Sequence, residues 1–144
     1  MEKDKYFVKK KKGKKMYKEL IISAIIIVGI FMLDYITQNY TNKAINEAIQ
    51  DLSQICEHIK NIDKESDEII KEANEKYEKW QKRHKRLAFY IEHTELEKAE
   101  SSYIGGKSYI ELIKYEDAIA ELERTILILK HIDEKYSIDW ENIF

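Results

Sequence analysis

The chain has 144 residues, 36% of them charged, with no proline, four glycines and one cysteine. That length holds one folded domain, and a β-rich or multi-domain protein of this size would carry more turn-forming residues. The net charge of −2 hides an asymmetry: residues 1–19 hold nine lysines, whereas from Thr37 onward 16 cationic side chains stand against 23 carboxylates.

The lysine-rich head, residues 1–18, precedes an uncharged run of fourteen residues from Leu20 to Leu33, LIISAIIIVGIFML. Fourteen residues fall short of the ~20 needed to span about 30 Å of hydrocarbon, but the flanks extend the run. Tyr17 and Tyr35 are 18 residues apart, about 27 Å along a helix, which sets a tyrosine at each interface. Residues 19–36 are therefore expected to form one membrane-spanning helix. A cleaved signal peptide would need small residues after the run, where the chain reads Leu33-Asp34-Tyr35-Ile36. Lys9 to Lys12, Lys14 and Lys15 flank one end, and Thr37 to Asn42 carry no charge at the other. The positive-inside rule then places the N-terminus in the cytoplasm and residues 37–144 outside. The lysine run is read as a topology signal that grips anionic lipid, not as a nucleic-acid site.

Beyond the span the palette is that of long amphipathic helices. Ile45, Ala48, Leu52, Ile55, Ile59 and Ile62 recur at spacings of three and four, so a first outer helix should continue the span without a break. Cys56 joins it as a small hydrophobe, and being the only cysteine it excludes an intramolecular disulfide. Asn61 and Asp63 supply a turn and an N-cap. A second helix carries Ile69, Ala73, Tyr77, Trp80, His84, Leu87 and Ile91 on one face. Thr94 and Glu97 have the spacing of a capping box for a third. The pair Gly105-Gly106 weakens that helix by about 1–2 kcal/mol, which predicts a kink or short break. After a turn at Lys114 to Asp117, a fourth helix turns Ile119, Leu122, Ile126, Leu129 and Ile132 inward. The tail, Tyr136 to Phe144, places Trp140, Ile143 and Phe144 as a cap over the bundle or as a docking segment for a membrane partner.

The order of these features resembles the bacterial domain-of-unknown-function family 4363. The resemblance rests on the N-terminal apolar run, the helix carrying Trp80, the IEHTE stretch from Ile91 to Glu95, the Ala118 to Ile132 helix and the terminal Glu141-Asn142-Ile143-Phe144. Gly105-Gly106 and the long lysine head depart from it. It implies a small anchored protein of low-GC Gram-positive bacteria, accompanying a multi-pass membrane protein of domain-of-unknown-function family 421, and so an accessory role.

No constellation points to chemistry. His84 is expected as a hydrogen-bonded core histidine, and His93 and Glu97 share a helix face. Neither HExxH nor CxxC spacing occurs, and zinc needs three or four convergent ligands; no metal, cofactor or enzymatic activity is expected. Lys82, Arg83, Lys85 and Arg86 form a basic cluster. Its charges either complement the acidic third and fourth helices or serve as a contact surface. An antiparallel second helix brings residues 82–86 back to within about 10 Å of the bilayer, so the contact would be anionic head groups or a partner's outer loop.

The sequence thus predicts an all-α protein: one transmembrane helix continuous with an antiparallel bundle of about four helices. The expected function is a non-enzymatic, single-pass membrane-anchored interaction module, an accessory subunit of a membrane complex. The bilayer, a multi-pass membrane protein and a second copy of the chain are its candidate partners. The alternative is an extracytoplasmic sensor or binding domain for a small ligand or envelope component. An enclosed pocket with convergent polar groups would mark the sensor; a filled core with exposed apolar surface would mark the interaction module.

Overall fold

The computed structural model describes residues 2–61 and 66–136, with side chains from residue 17 onward. Among these residues there are four helices and no strand: α1 (Glu2–Asn61), α2 (Ser66–Leu87), α3 (His93–Glu111) and α4 (Tyr115–Tyr136). The chain divides into two compact units, Met1–Thr37 and Gln38–Phe144.

The first unit carries the apolar run, and within α1 the segment Tyr17–Asn61 contains the one described helix long and apolar enough to cross a membrane. No residue of its most apolar 18-residue window is buried. From Leu20 to Ile36 the large aliphatic and aromatic side chains all stand exposed. Ser23, the polar residue inside the run, turns its hydroxyl back to the Glu19 carbonyl at 3.0 Å, so it leaves no unpaired donor.

The second unit is an antiparallel four-helix bundle. Each helix contributes apolar residues at alternating spacings of three and four, the pattern that packs ridges into grooves at a shallow crossing angle. On α1 the buried positions include Thr41, Ile45, Ala48, Leu52, Ile55 and Ile59; on α3, Leu96, Ala99, Tyr103, Gly106 and Ile110; on α4, Ala118, Leu122, Thr125, Leu129 and Ile132. Antiparallel pairing follows from the cross-helix contacts. Arg83 and Lys76 of α2 meet Asp51 of α1, Trp80 of α2 meets Glu100 of α3, and Lys135 of α4 meets Glu95 of α3. Lys60 of α1 closes the ring on Glu123 of α4 at 2.8 Å. Cys56 lies buried in this core.

Gly105-Gly106 does not interrupt α3, which is helical through both. The pair is there for packing. A Cβ at Gly106 would lie 2.7 Å from Leu122 Cδ2 and 3.3 Å from the Leu122 backbone nitrogen, so the missing side chain is what lets α4 come this close. Ala99 of α3 and Ala118 of α4 are likewise fully buried. Burial of the facing leucines outweighs a helix-propensity cost of about 1 kcal/mol per glycine.

Helix boundaries differ from the sequence expectation in three places. α2 ends at Leu87, so Ile91, expected on its face, lies beyond it though still buried. Thr94 does not cap α3: the N-cap is Glu92, with no side-chain cap bond. Thr94 Oγ1 donates to Glu92 Oε1 at 2.8 Å, while Glu97 pairs with His93 one turn back at 3.0 Å. The shared face of His93 and Glu97 is therefore real, but it displaces the capping box. The last turn also comes earlier than Lys114 to Asp117, because α4 already begins at Tyr115. The Ile113 amide donates to the Ile110 carbonyl and the Lys114 amide to that of Tyr109, which is the Schellman closure of a helix end. Ile62 and Asp63 of the first expected turn lie outside the described residues.

Candidate functional site

The Schellman closure puts Ile113 at the position that normally takes glycine, and its φ is 58°. A β-branched residue in this left-handed region is a genuine outlier, at a cost of about 1–2 kcal/mol. Nothing in the described chain repays that cost by burial, since Leu112 and Ile113 are 64% and 59% exposed. The tip between α3 and α4 thus holds two large aliphatic side chains in water on a strained backbone, a pairing that points to function more than to stability. Ile113→Gly should stabilise the bundle by about 1 kcal/mol, raising its melting temperature by about 4–8 °C. A melting temperature equal to or below that of the parent chain would show that Ile113 earns its place within the fold.

The basic cluster at the end of α2 separates into two kinds of side chain. Arg83 points across to α1, where Nη1 donates to Asp51 Oδ2 at 2.7 Å and Nη2 to Glu47 Oε2 at 3.0 Å. It is committed to the first helix, not to the acidic third and fourth. Lys82, Lys85 and Arg86 remain exposed. An open groove of about 420 Å³ runs beside them, lined by Tyr40, Lys43, Ala44 and Glu47 of α1 and by Lys79, Lys82, Arg83 and Arg86 of α2. His84, Lys85 and Arg86 fall in the last turn of α2, where positive charge complements the helix dipole. The turn that follows exposes Phe89 and Tyr90 by 83% and 51%, with ring centroids 6.4 Å apart.

Inward of this groove lies a polar ladder that the apolar periodicity did not reveal. Lys76 is buried at a position the helical spacing assigns to the core. Its Nζ donates to Gln54 Oε1 at 2.5 Å and lies 3.5 Å from both Asp51 Oδ1 and Glu72 Oε1. Glu72 in turn meets His58 Nδ1 at 2.7 Å. Glu47, Asp51, Gln54 and His58 are spaced four, three and four along α1, one step beside the apolar stripe, and that second period was the legible signal. Sliding α2 by one turn would strand the Lys76 ammonium away from its carboxylates at a cost of several kcal/mol, so the ladder fixes the register of α2 on α1.

On its other side α2 meets α3 through an aromatic cluster. Trp80 Nε1 and Tyr77 Oη both donate to the Glu100 carboxylate. The Tyr103 ring packs edge-on to Tyr77, with centroids 5.2 Å apart, and tilted against Trp80 at 6.1 Å. Burial pushes the Tyr103 phenol far above its ordinary range, and burial together with the Glu100 carboxylate raises that of Tyr77. His84 is not the hydrogen-bonded core histidine the sequence suggested. It is half-buried, edge-on to Trp80 at 5.7 Å, with no hydrogen-bond partner for Nε2 among the described residues. Its ring is held by packing on the indole.

A second open groove, of about 640 Å³, lies between α3 and α4 over Ser101, Ser102, Gly105 and Tyr109. No three His, Cys, Asp or Glu side chains among the described residues converge as a metal site would require. Trp140, Ile143 and Phe144, the expected docking tail, lie outside the described residues.

These features define an all-helical protein: an N-terminal helix with one apolar run, and an antiparallel four-helix domain with a basic groove and an apolar tip. Residues 35–143 match the family described as "Domain of unknown function (DUF4363)", and the chain belongs to that family. No curated protein and no solved structure matches it.

Proposed function

We propose that this protein is a non-enzymatic interaction module, anchored in the cell membrane by residues 19–36 and acting as the accessory subunit of a membrane protein complex. The observation that carries this reading is a second unit whose core is filled, while large apolar side chains stay uncovered, among them the Leu20–Ile36 run of the first unit and the Leu112–Ile113 tip of the second. Trp80, Tyr103, Leu52, Leu96, Leu122, Leu129 and Ile132 are each at most 1% exposed, and both grooves open to the surface. The large apolar side chains from Leu20 to Ile36 and at the Leu112–Ile113 tip are all more than half exposed.

An uncovered apolar run of this length suits lipid. The nine lysines of residues 1–19 favour a cytoplasmic N-terminus and an extracytoplasmic bundle. The filled core favours the interaction module over the small-ligand sensor, which would need an enclosed pocket. Membrane extraction and side-specific labelling test the anchor together. The chain should stay in the pellet through alkaline carbonate washing. A cysteine placed at exposed Lys130 should react with a membrane-impermeant maleimide on intact cells. Release by carbonate, or labelling only after lysis, would contradict the anchoring or the orientation respectively.

A further inference from the structure

The second unit is acidic overall, yet its cations are unevenly paired. Lys60, Lys76, Arg83, Lys107, Arg124 and Lys135 each have a carboxylate within 4 Å. Of the nine described cations in this unit that have none, Lys71, Lys98, Lys114 and Lys130 stand apart on α2, α3, the α3–α4 turn and α4, whereas Lys43, Lys79, Lys82, Lys85 and Arg86 stand together. These five are gathered at one place: four line or flank the groove between α1 and α2, and Lys85 sits in the same last turn of α2. The next residues of the chain are Phe89 and Tyr90, and Phe89 is the most exposed large hydrophobic side chain described.

The place itself narrows the partner. Tyr40, in the wall of the groove, follows Ile36 by four residues. Four residues reach at most about 14 Å by any backbone path. If Ile36 ends the span, as the anchored reading holds, Tyr40 is within that distance of the bilayer surface. Unpaired lysine and arginine beside exposed aromatic rings is the composition that binds anionic head groups while the rings enter the interfacial layer.

We infer that the end of the bundle formed by Lys43, Lys79, Lys82, Lys85, Arg86, Phe89 and Tyr90 docks on an anionic lipid surface. The cations meet head-group phosphates and the two aromatic rings enter the interfacial layer. Arg83 takes no part in the contact, because its fork is closed on Asp51 and Glu47; it holds α2 against α1 so that its neighbours share one face.

The test uses the full chain in nanodiscs of phosphatidylcholine alone or with roughly 30% phosphatidylglycerol, a charge density at which polybasic surfaces bind. Ala88→Cys, at an exposed position between the cations and the rings, carries a polarity-sensitive dye. Cys56 stays unlabelled, being buried with its thiol pushed up to about 11. The expected result is a blue-shifted emission in the anionic discs only, reversed by about 0.5 M salt, which screens surface charge. Lys82→Glu/Lys85→Glu/Arg86→Glu should abolish the shift, and Phe89→Ser/Tyr90→Ser should weaken it several-fold. Equal emission in the two disc types, or a shift that survives both salt and charge reversal, would overturn the inference and leave an acidic protein partner for this surface. Retention of the chain in the discs reports the anchor separately, so failure of lipid docking is distinguishable from failure of the membrane reading.

Discussion

Gly106→Val should destabilise the bundle by about 3 kcal/mol, whereas Gly105→Ala, one residue away, should stabilise it by up to about 1 kcal/mol. At Gly106 a Cβ would sit 2.7 and 2.9 Å from the Leu122 side chain and 3.3 Å from its backbone nitrogen. Leu122 is fully buried, so neither its side chain nor the α4 backbone can yield without opening the seam, and overpacking of this kind costs about 1–3 kcal/mol. The γ-methyl groups of valine put this substitution at the upper end. At Gly105 the same Cβ would make only ordinary contact with Glu121 Cγ at 3.6 Å, leaving the gain in helix propensity to decide the sign. Thermal unfolding followed by circular dichroism reads both. If both substitutions stabilised the protein, α3 and α4 would not approach each other this closely at Gly106.

Trp80→Ala carries the largest expected loss, about 3–5 kcal/mol. The indole is 1% exposed and packs against both Tyr103 and His84. Its removal opens a cavity between α2 and α3 and takes one donor from Glu100. Against a typical total of about 5–15 kcal/mol for a domain, that is about a fifth or more of the stability. Trp80→Phe keeps part of the ring packing while removing the N–H, for an expected loss smaller than that of the alanine variant, about 1–3 kcal/mol. Both effects are read from denaturant midpoints in detergent. A change below 1 kcal/mol for the alanine variant would mean that the α2–α3 interface does not depend on this cluster.

The apolar stripes were the legible part of the fold, because burial imposes a period of three and four that sequence displays directly. Ile45 to Ile59, and Leu122, Leu129 and Ile132, fall where the spacing put them. What periodicity missed were polar residues at core positions. Lys76 occupies such a position on α2 because Asp51, Gln54 and Glu72 surround its ammonium, and no local feature of the α2 sequence announces partners on another helix. Thr125 is buried on α4 for a simpler reason: its hydroxyl donates to the Glu121 carbonyl at 2.9 Å, so it costs little.

Gly105-Gly106 misled because propensity values a glycine alone, while its benefit here is the close approach of Leu122. The Thr94 capping box failed by competition. His93 offers Glu97 a partner on its own helix face, and Glu92 takes the Thr94 hydroxyl. The basic cluster was visible as a run of charge, but two matters required the fold: Arg83 turns inward, and Lys43 and Lys79 join the outward-facing set.

The measurement that most directly tests the account is crosslinked capture of the tagged full-length chain from its native membrane, read by mass spectrometry. A Leu112→Ser/Ile113→Gly variant, which the strain argument expects to be at least as stable as the parent, runs beside it. One stoichiometric multi-pass membrane protein is expected to be captured by the parent chain and lost from the variant. Recovery of the chain alone, only as a dimer with itself, or with the same partner in both samples would contradict an accessory subunit that docks through this tip.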